Sequence, residues 1–131
     1  MSSNVYNIDV NNTNINDMNK LKNKINEKEM KILEDNYLRV TYVDNVNNTV
    51  EIEGFTYGGV CMIIYIDLYS RKSLEEQLYD YVNSFNIDND IEVHRMESDY
   101  RHMFSITESV KDFENWIVSI KKIIKELKES D

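Results

Sequence analysis

The chain has no proline, no alanine and only three glycines in 131 residues. Gly54, Gly58 and Gly59 match neither a P-loop nor a dinucleotide fingerprint, so a glycine-built phosphate site is excluded. The one cysteine, Cys61, cannot form an internal disulfide, which favours a reducing compartment. Histidine is equally scarce, with His94 and His102 alone. Cys61 and the two histidines fall short of the four close ligands that structural zinc takes. A Cys–His nucleophile would need contact between them and a third group to orient the imidazole. No metal or cofactor is expected. The longest apolar run, Val60 to Ile66, is about a third of the roughly 18 residues that a membrane-crossing helix needs. Met1-Ser2-Ser3-Asn4 lacks the basic and apolar regions of a secretory leader. The expected location is the cytoplasm, with no membrane partner.

What is present is asparagine, isoleucine and tyrosine, the last nine times. These residues have AT-rich codons and the missing ones GC-rich codons, which points to a low-GC bacterium or its phage. Hydrophobic residues make up 41% and charged residues 30%, the balance of a folded globule. The length suits one domain with one core. The net charge is −9, and it is unevenly placed. Residues 1–43 and 101–131 are each balanced, whereas residues 44–100 hold 12 acids against Arg71, Lys72 and Arg95. An acidic middle disfavours nucleic acid, since phosphate binding needs lysine and arginine. It favours a basic partner.

Residues 1–14 are polar and aperiodic and read as a disordered tail, leaving 15–131 as a single α+β domain. Ile15, Met18, Leu21, Ile25 and Ile32 recur at helical spacing, which predicts one helix over about 15–35. Leu38, Val40 and Tyr42 then alternate with Arg39, Thr41 and Val43, a half-buried strand. Asp44 to Asn48 is turn chemistry, and Val50 and Ile52 belong to a second strand. Gly58-Gly59 turns the chain into a third strand, with Met62, Ile64, Ile66 and Leu68 on one face. Its other face, with Cys61, Ile63, Tyr65 and Tyr69, is apolar enough for a covered or central strand. Ser73-Leu74-Glu75-Glu76 forms a capping box ahead of a helix that buries Leu74, Leu78, Tyr81, Val82 and Phe85. Ile91 and Val93 start a fourth strand, and His102, Phe104 and Ile106 a fifth. Ser109 with Asp112 is a second capping box. The helix after it carries Val110, Phe113, Ile117, Ile120, Ile124 and Leu127 at the spacing of a coiled-coil seam. Trp116 and Ile123 widen that stripe, which favours packing on the sheet; a homodimer through helix 110–129 or a sheet edge is the alternative. The order α-β-β-β-α-β-β-α predicts an antiparallel sheet of about five strands with helices on one face.

The candidate contact residues are acids and a tyrosine. Glu51 and Glu53 project from the second strand, Tyr57 precedes the diglycine turn, and Glu75, Glu76 and Asp80 share one side of a helix. Asp88 and Asp90, with Glu92, offer oxygen ligands at alternating positions but lack the glycine and distal glutamate of a calcium loop. Paired carboxylates serve acid–base chemistry where burial raises one pKa, and nothing in the pattern implies burial. Tyr65, Tyr69, Tyr79 and Tyr100 exceed what a core needs, and exposed tyrosine is a favoured contact residue.

In its element order, size and acidity, the stretch from Tyr37 to Tyr69, Leu74 to Phe85, Ile91–Met96 with His102–Thr107, and the helix from Val110 resembles the type III secretion chaperones. The resemblance implies a non-enzymatic, dimeric protein that holds an extended partner segment on apolar patches and strand edges. The acidity alone fits a second class, a small inhibitor, such as an immunity or phage anti-defence protein, that blocks a basic enzyme or toxin. A third is a small-molecule or nucleotide sequestering protein, with Arg39, Arg71, Lys72, Arg95 and Arg101 as its only phosphate contacts.

Overall fold

The structure, a computed structural model, describes residues 15–44, 46–85 and 106–130. The 1–14 tail, the strand at Ile91 and Val93, most of the strand at His102, and the acids Asp88 and Asp90 lie outside the described residues. Among the described residues there are four helices and a three-stranded antiparallel sheet, an α+β fold with the order α1 (Ile15–Lys24), α2 (Glu27–Asp35), β1 (Arg39–Asp44), β2 (Thr49–Phe55), β3 (Cys61–Asp67), α3 (Leu74–Ser84) and α4 (Ile106–Glu129). Three of the expected five strands lie among the described residues, in the spatial order β1-β2-β3.

Three local expectations are corrected. The single helix over 15–35 is two, because Asn26 leaves helical geometry and caps α2. Its side chain accepts from the Glu29 amide at 2.8 Å, and Glu29 accepts from the Asn26 amide at 3.0 Å. The strand alternation slips at Thr41, where a β-bulge lets Val40 and Val43 both face the core and turns Tyr42 outward. The last helix starts at Ile106, so Ile106 and Thr107 are helical rather than the end of a strand. Ser109 then lies inside the helix rather than at its start, and Asp112 is used elsewhere. Its carboxylate is buried and accepts the Gly58 amide at 2.8 Å.

The other turn signals behave as their chemistry requires. Ser73 and Glu76 exchange both bonds of the capping box. Asp44 closes the β1–β2 turn by accepting from the Val46 and Asn47 amides at 2.9 and 3.1 Å. Gly59 sits at φ +82°, and Thr56 accepts its amide at 3.0 Å.

One face of the sheet is covered. Val40, Val43, Val50, Ile52, Met62, Ile64 and Ile66 point into the core, beneath α4, which packs against both α2 and α3. The stripe on α4 is used here: Phe113, Trp116, Ile120, Ile123, Ile124 and Leu127 are buried within the chain, with Val110 and Ile117 packed against that core. Packing on the sheet is therefore what this stripe does. Leu78 is fully buried and Phe85 partly so. Gly54 faces the core at the end of β2, where an added Cβ would lie 2.8 Å from the Trp116 ring.

Candidate functional site

The second face of the sheet is open among the described residues. Strand register arranges it in four rungs: Asp44–Thr49–Asp67, Tyr42–Glu51–Tyr65, Arg39–Glu53–Ile63 and Phe55–Cys61. Tyr65 and Phe55 are 62% and 61% exposed, and Tyr42 and Ile63 are also exposed. The face therefore mixes four apolar side chains with four carboxylates and one cation, Arg39. Of the two expectations for β3, a central position depends on strands expected outside the described residues, and a covered outer face does not hold for the described ones. Its apolar side chains stand in solvent in the same rows as the glutamates.

Cys61 is exposed on this face rather than packed as an inert core thiol. Partial burial and the neighbouring Glu53 carboxylate push its thiol pKa up, so the protonated form is favoured and nucleophilicity suppressed. Asp44 moves the other way. The Asn47 side-chain amide, then the backbone amides of the turn, hold its carboxyl below the ordinary value.

The remaining sequence-predicted acids lie elsewhere. Glu76 is engaged in the α3 cap and Asp80 pairs with Lys72 at 2.6 Å. That carboxylate raises the Lys72 pKa. Glu75, Glu76 and Asp80 line a recess of about 290 Å³ between α3 and the end of α4, together with Tyr79 and Lys128. A wider groove of about 590 Å³ runs from Ile63 and Tyr65 over the β3 margin to Asp80 and Tyr81. Lys24 donates to the Ser70 and Lys72 carbonyls at 2.5 and 2.7 Å, which fixes the β3–α3 loop beside that groove. Tyr69 is exposed, and the Lys20 ammonium donates to its hydroxyl and lies 4.4 Å from its ring centroid. Tyr100 lies outside the described residues.

Tyr57 belongs to a feature that the sequence did not disclose. With Tyr37 and Phe55 it borders a cavity of about 210 Å³ whose lining includes Leu38 and Trp116. Phe55 is shared with the open face. The contributing residues come from the end of α2, the end of β2 and the middle of α4. Only the fold brings them together; the available signal was the excess of aromatics around Gly58-Gly59.

Among the described residues no group of three or more histidine, cysteine or carboxylate side chains is placed to hold a metal ion, and no helix is long and apolar enough to cross a membrane. Comparison of the chain with protein-family models, with curated proteins and with solved structures gives no match.

Proposed function

We propose that the protein is a non-catalytic binding module, chaperone- or adaptor-like, that takes a protein partner on the open face of its sheet. The observation that carries this reading is the four-rung face itself. Exposed aromatic rings alternate there with carboxylates on a rigid strand scaffold whose opposite side is fully packed. Aromatic side chains supply contact area at low ordering cost and are the common anchors of protein interfaces. The glutamates add attraction for a basic surface and discriminate against acidic ones. Glu51 and Glu53 are the sequence-predicted residues on this face, with Tyr57 beyond its Phe55 end; Glu75, Glu76 and Asp80 form a separate acidic edge.

A second reading, an inhibitor that blocks a basic enzyme or toxin, is favoured by the same carboxylates and by a net charge of −9. Nucleotide sequestration draws less support among the described residues: Lys72 is paired with Asp80, Arg39 stands opposite Glu53, and Arg71 is exposed outside the recesses described above; Arg95 and Arg101 lie outside the described residues.

The test is affinity capture from source-cell lysate with the wild-type chain and a Tyr42→Ser/Tyr65→Ser variant, at low and high salt. Retention of a specific protein by the wild type and its loss on the variant supports the module. A folded basic enzyme released by salt assigns the inhibitor role. Equal capture by both chains removes the open face from consideration.

A further inference from the structure

We propose that the cavity bordered by Tyr37, Phe55 and Tyr57 receives one bulky apolar side chain from a basic segment of the partner protein. The inference rests on the protein-binding reading and assigns its anchor point.

Size limits the occupant. An apolar cavity of about 150 Å³ holds a benzene ring, whereas sites for drug-sized ligands begin near 300 Å³. At about 210 Å³, this one takes a single aromatic or branched aliphatic side chain.

Away from the two rim tyrosines, the Asn36 amide and the Ser119 and Thr56 hydroxyls of the lining already have partners. The Asn36 amide donates to the Ile32 carbonyl and to Glu126, at 2.8 and 2.7 Å. The Ser119 hydroxyl donates to the Asn115 carbonyl at 3.1 Å, and the Thr56 hydroxyl accepts the Val60 amide at 3.1 Å. The site therefore selects by shape and apolarity.

The lining is preorganised at its buried side. Leu38 and Trp116 are buried, and the indole N–H donates to the Tyr81 hydroxyl at 2.9 Å. Ordering these groups adds nothing to the cost of binding. The rim is the opposite. Tyr37 and Tyr57 are 90% and 86% exposed, and Tyr37 holds φ +64°, a left-handed conformation that is unfavourable for a residue with a Cβ. It occupies the position after the α2 cap where glycine is the usual residue: its amide donates to the Glu34 carbonyl and the Leu38 amide to the Leu33 carbonyl, at 3.0 and 2.9 Å. Strain retained for the sake of an exposed ring beside a cavity is the pattern of a functional position.

Charge specifies the flanks. Phe55 continues directly into the rungs that hold Glu53 and Glu51. A segment with one side chain in the cavity runs over these carboxylates, so lysine or arginine beside the anchor is complementary.

The experiment selects phage-displayed random dodecapeptides on the immobilised full chain, then measures synthetic versions by calorimetry. The expected peptides share one Leu, Phe or Trp with Lys or Arg close by. Replacing that residue by alanine, or using a Phe55→Ala/Tyr57→Ala chain, weakens binding by about tenfold or more. Far-UV circular dichroism confirms that this variant is folded. A selection without enriched sequences, or peptides that bind the variant as tightly as the wild type, overturns the cavity assignment. Peptides that lose affinity only on a Glu51→Lys/Glu53→Lys chain overturn the cavity and leave the open-face reading intact. Insensitivity to both sets of replacements overturns both.

Discussion

Replacing Gly54 by alanine tests the packing between the sheet and the last helix. The new methyl would lie 2.8 and 2.9 Å from Cη2 and Cζ3 of Trp116 and 3.2 Å from Leu38 Cγ. The indole is 3% exposed and its N–H is held by Tyr81, so a shift toward the neighbouring cavity would strain that bond. Overpacking of this kind costs about 1–3 kcal/mol, while alanine recovers about 0.5–1 kcal/mol of the entropy that glycine loses in a strand. The central expectation is a loss of about 1 kcal/mol, or about 3–5 °C in melting temperature for a domain of this size. Trp116 is the one tryptophan in the chain, so urea titrations should be followed by far-UV circular dichroism. The decisive form is a double-mutant cycle with Trp116→Phe, which shortens the ring at the point of collision. In that background Gly54→Ala should be close to neutral, giving a coupling of about 1 kcal/mol or more. A neutral Gly54→Ala in the wild type, or the same loss in both backgrounds, would refute the reasoning.

Four further outcomes are expected. Ile120, fully buried, should cost about 2–5 kcal/mol when replaced by alanine, and a loss below about 1 kcal/mol in urea titration would contradict its position in the core. Tyr37→Gly should stabilise the chain by about 1 kcal/mol by removing the left-handed penalty while weakening the peptides selected above; unfolding and binding measured on one sample check both. Asp44 is held below its ordinary pKa chiefly by Asn47, so its contribution to stability is present above the unfolded pKa and lost as pH falls through the folded one; Asn47→Ala should move its NMR titration upward. Glu53→Gln should speed alkylation of Cys61 at mildly alkaline pH, because it removes a charge that raises the thiol pKa, and an unchanged rate would dissociate the two groups.

Much of the architecture was legible where local chemistry and packing agree. The α3 capping box, the diglycine turn and the α4 stripe each carry a residue pattern with one low-energy solution. The misses share a physical cause. The apolar stripe runs through Ile25, so periodicity alone concealed the break at Asn26, although Asn26-Glu27-Lys28-Glu29 already held both halves of a cap. Tyr42 and Val43 are both apolar, and nothing local decides which of them faces inward once a bulge intervenes. Ile106 and Thr107 are β-branched and follow an alternating run, yet they extend a helix whose later turns are secured by the core. As for the site, the acidic sheet residues were visible as Glu51 and Glu53. The cavity was not, because Phe55 and Trp116 are distant in sequence and Tyr37 occupies a backbone conformation that its residue type does not announce.

The bulge at Thr41 has a consequence for how the molecule behaves in a crowded solution. β1 is a margin of the described sheet, and a flat, regular margin is a template on which another copy of the same strand can grow. The extra residue breaks the even spacing of hydrogen-bonding groups along β1 and increases its local twist. A second chain docking there in register would meet a strand it cannot match for more than a few residues. Deleting Thr41 would restore the regular ladder with Val40 and Val43 still inward and Tyr42 still outward, because these three already face Ile52, Val50 and Glu51 respectively. The extra residue that lets Val40 and Val43 both face the core thus also makes β1 a poor template for a second copy of itself.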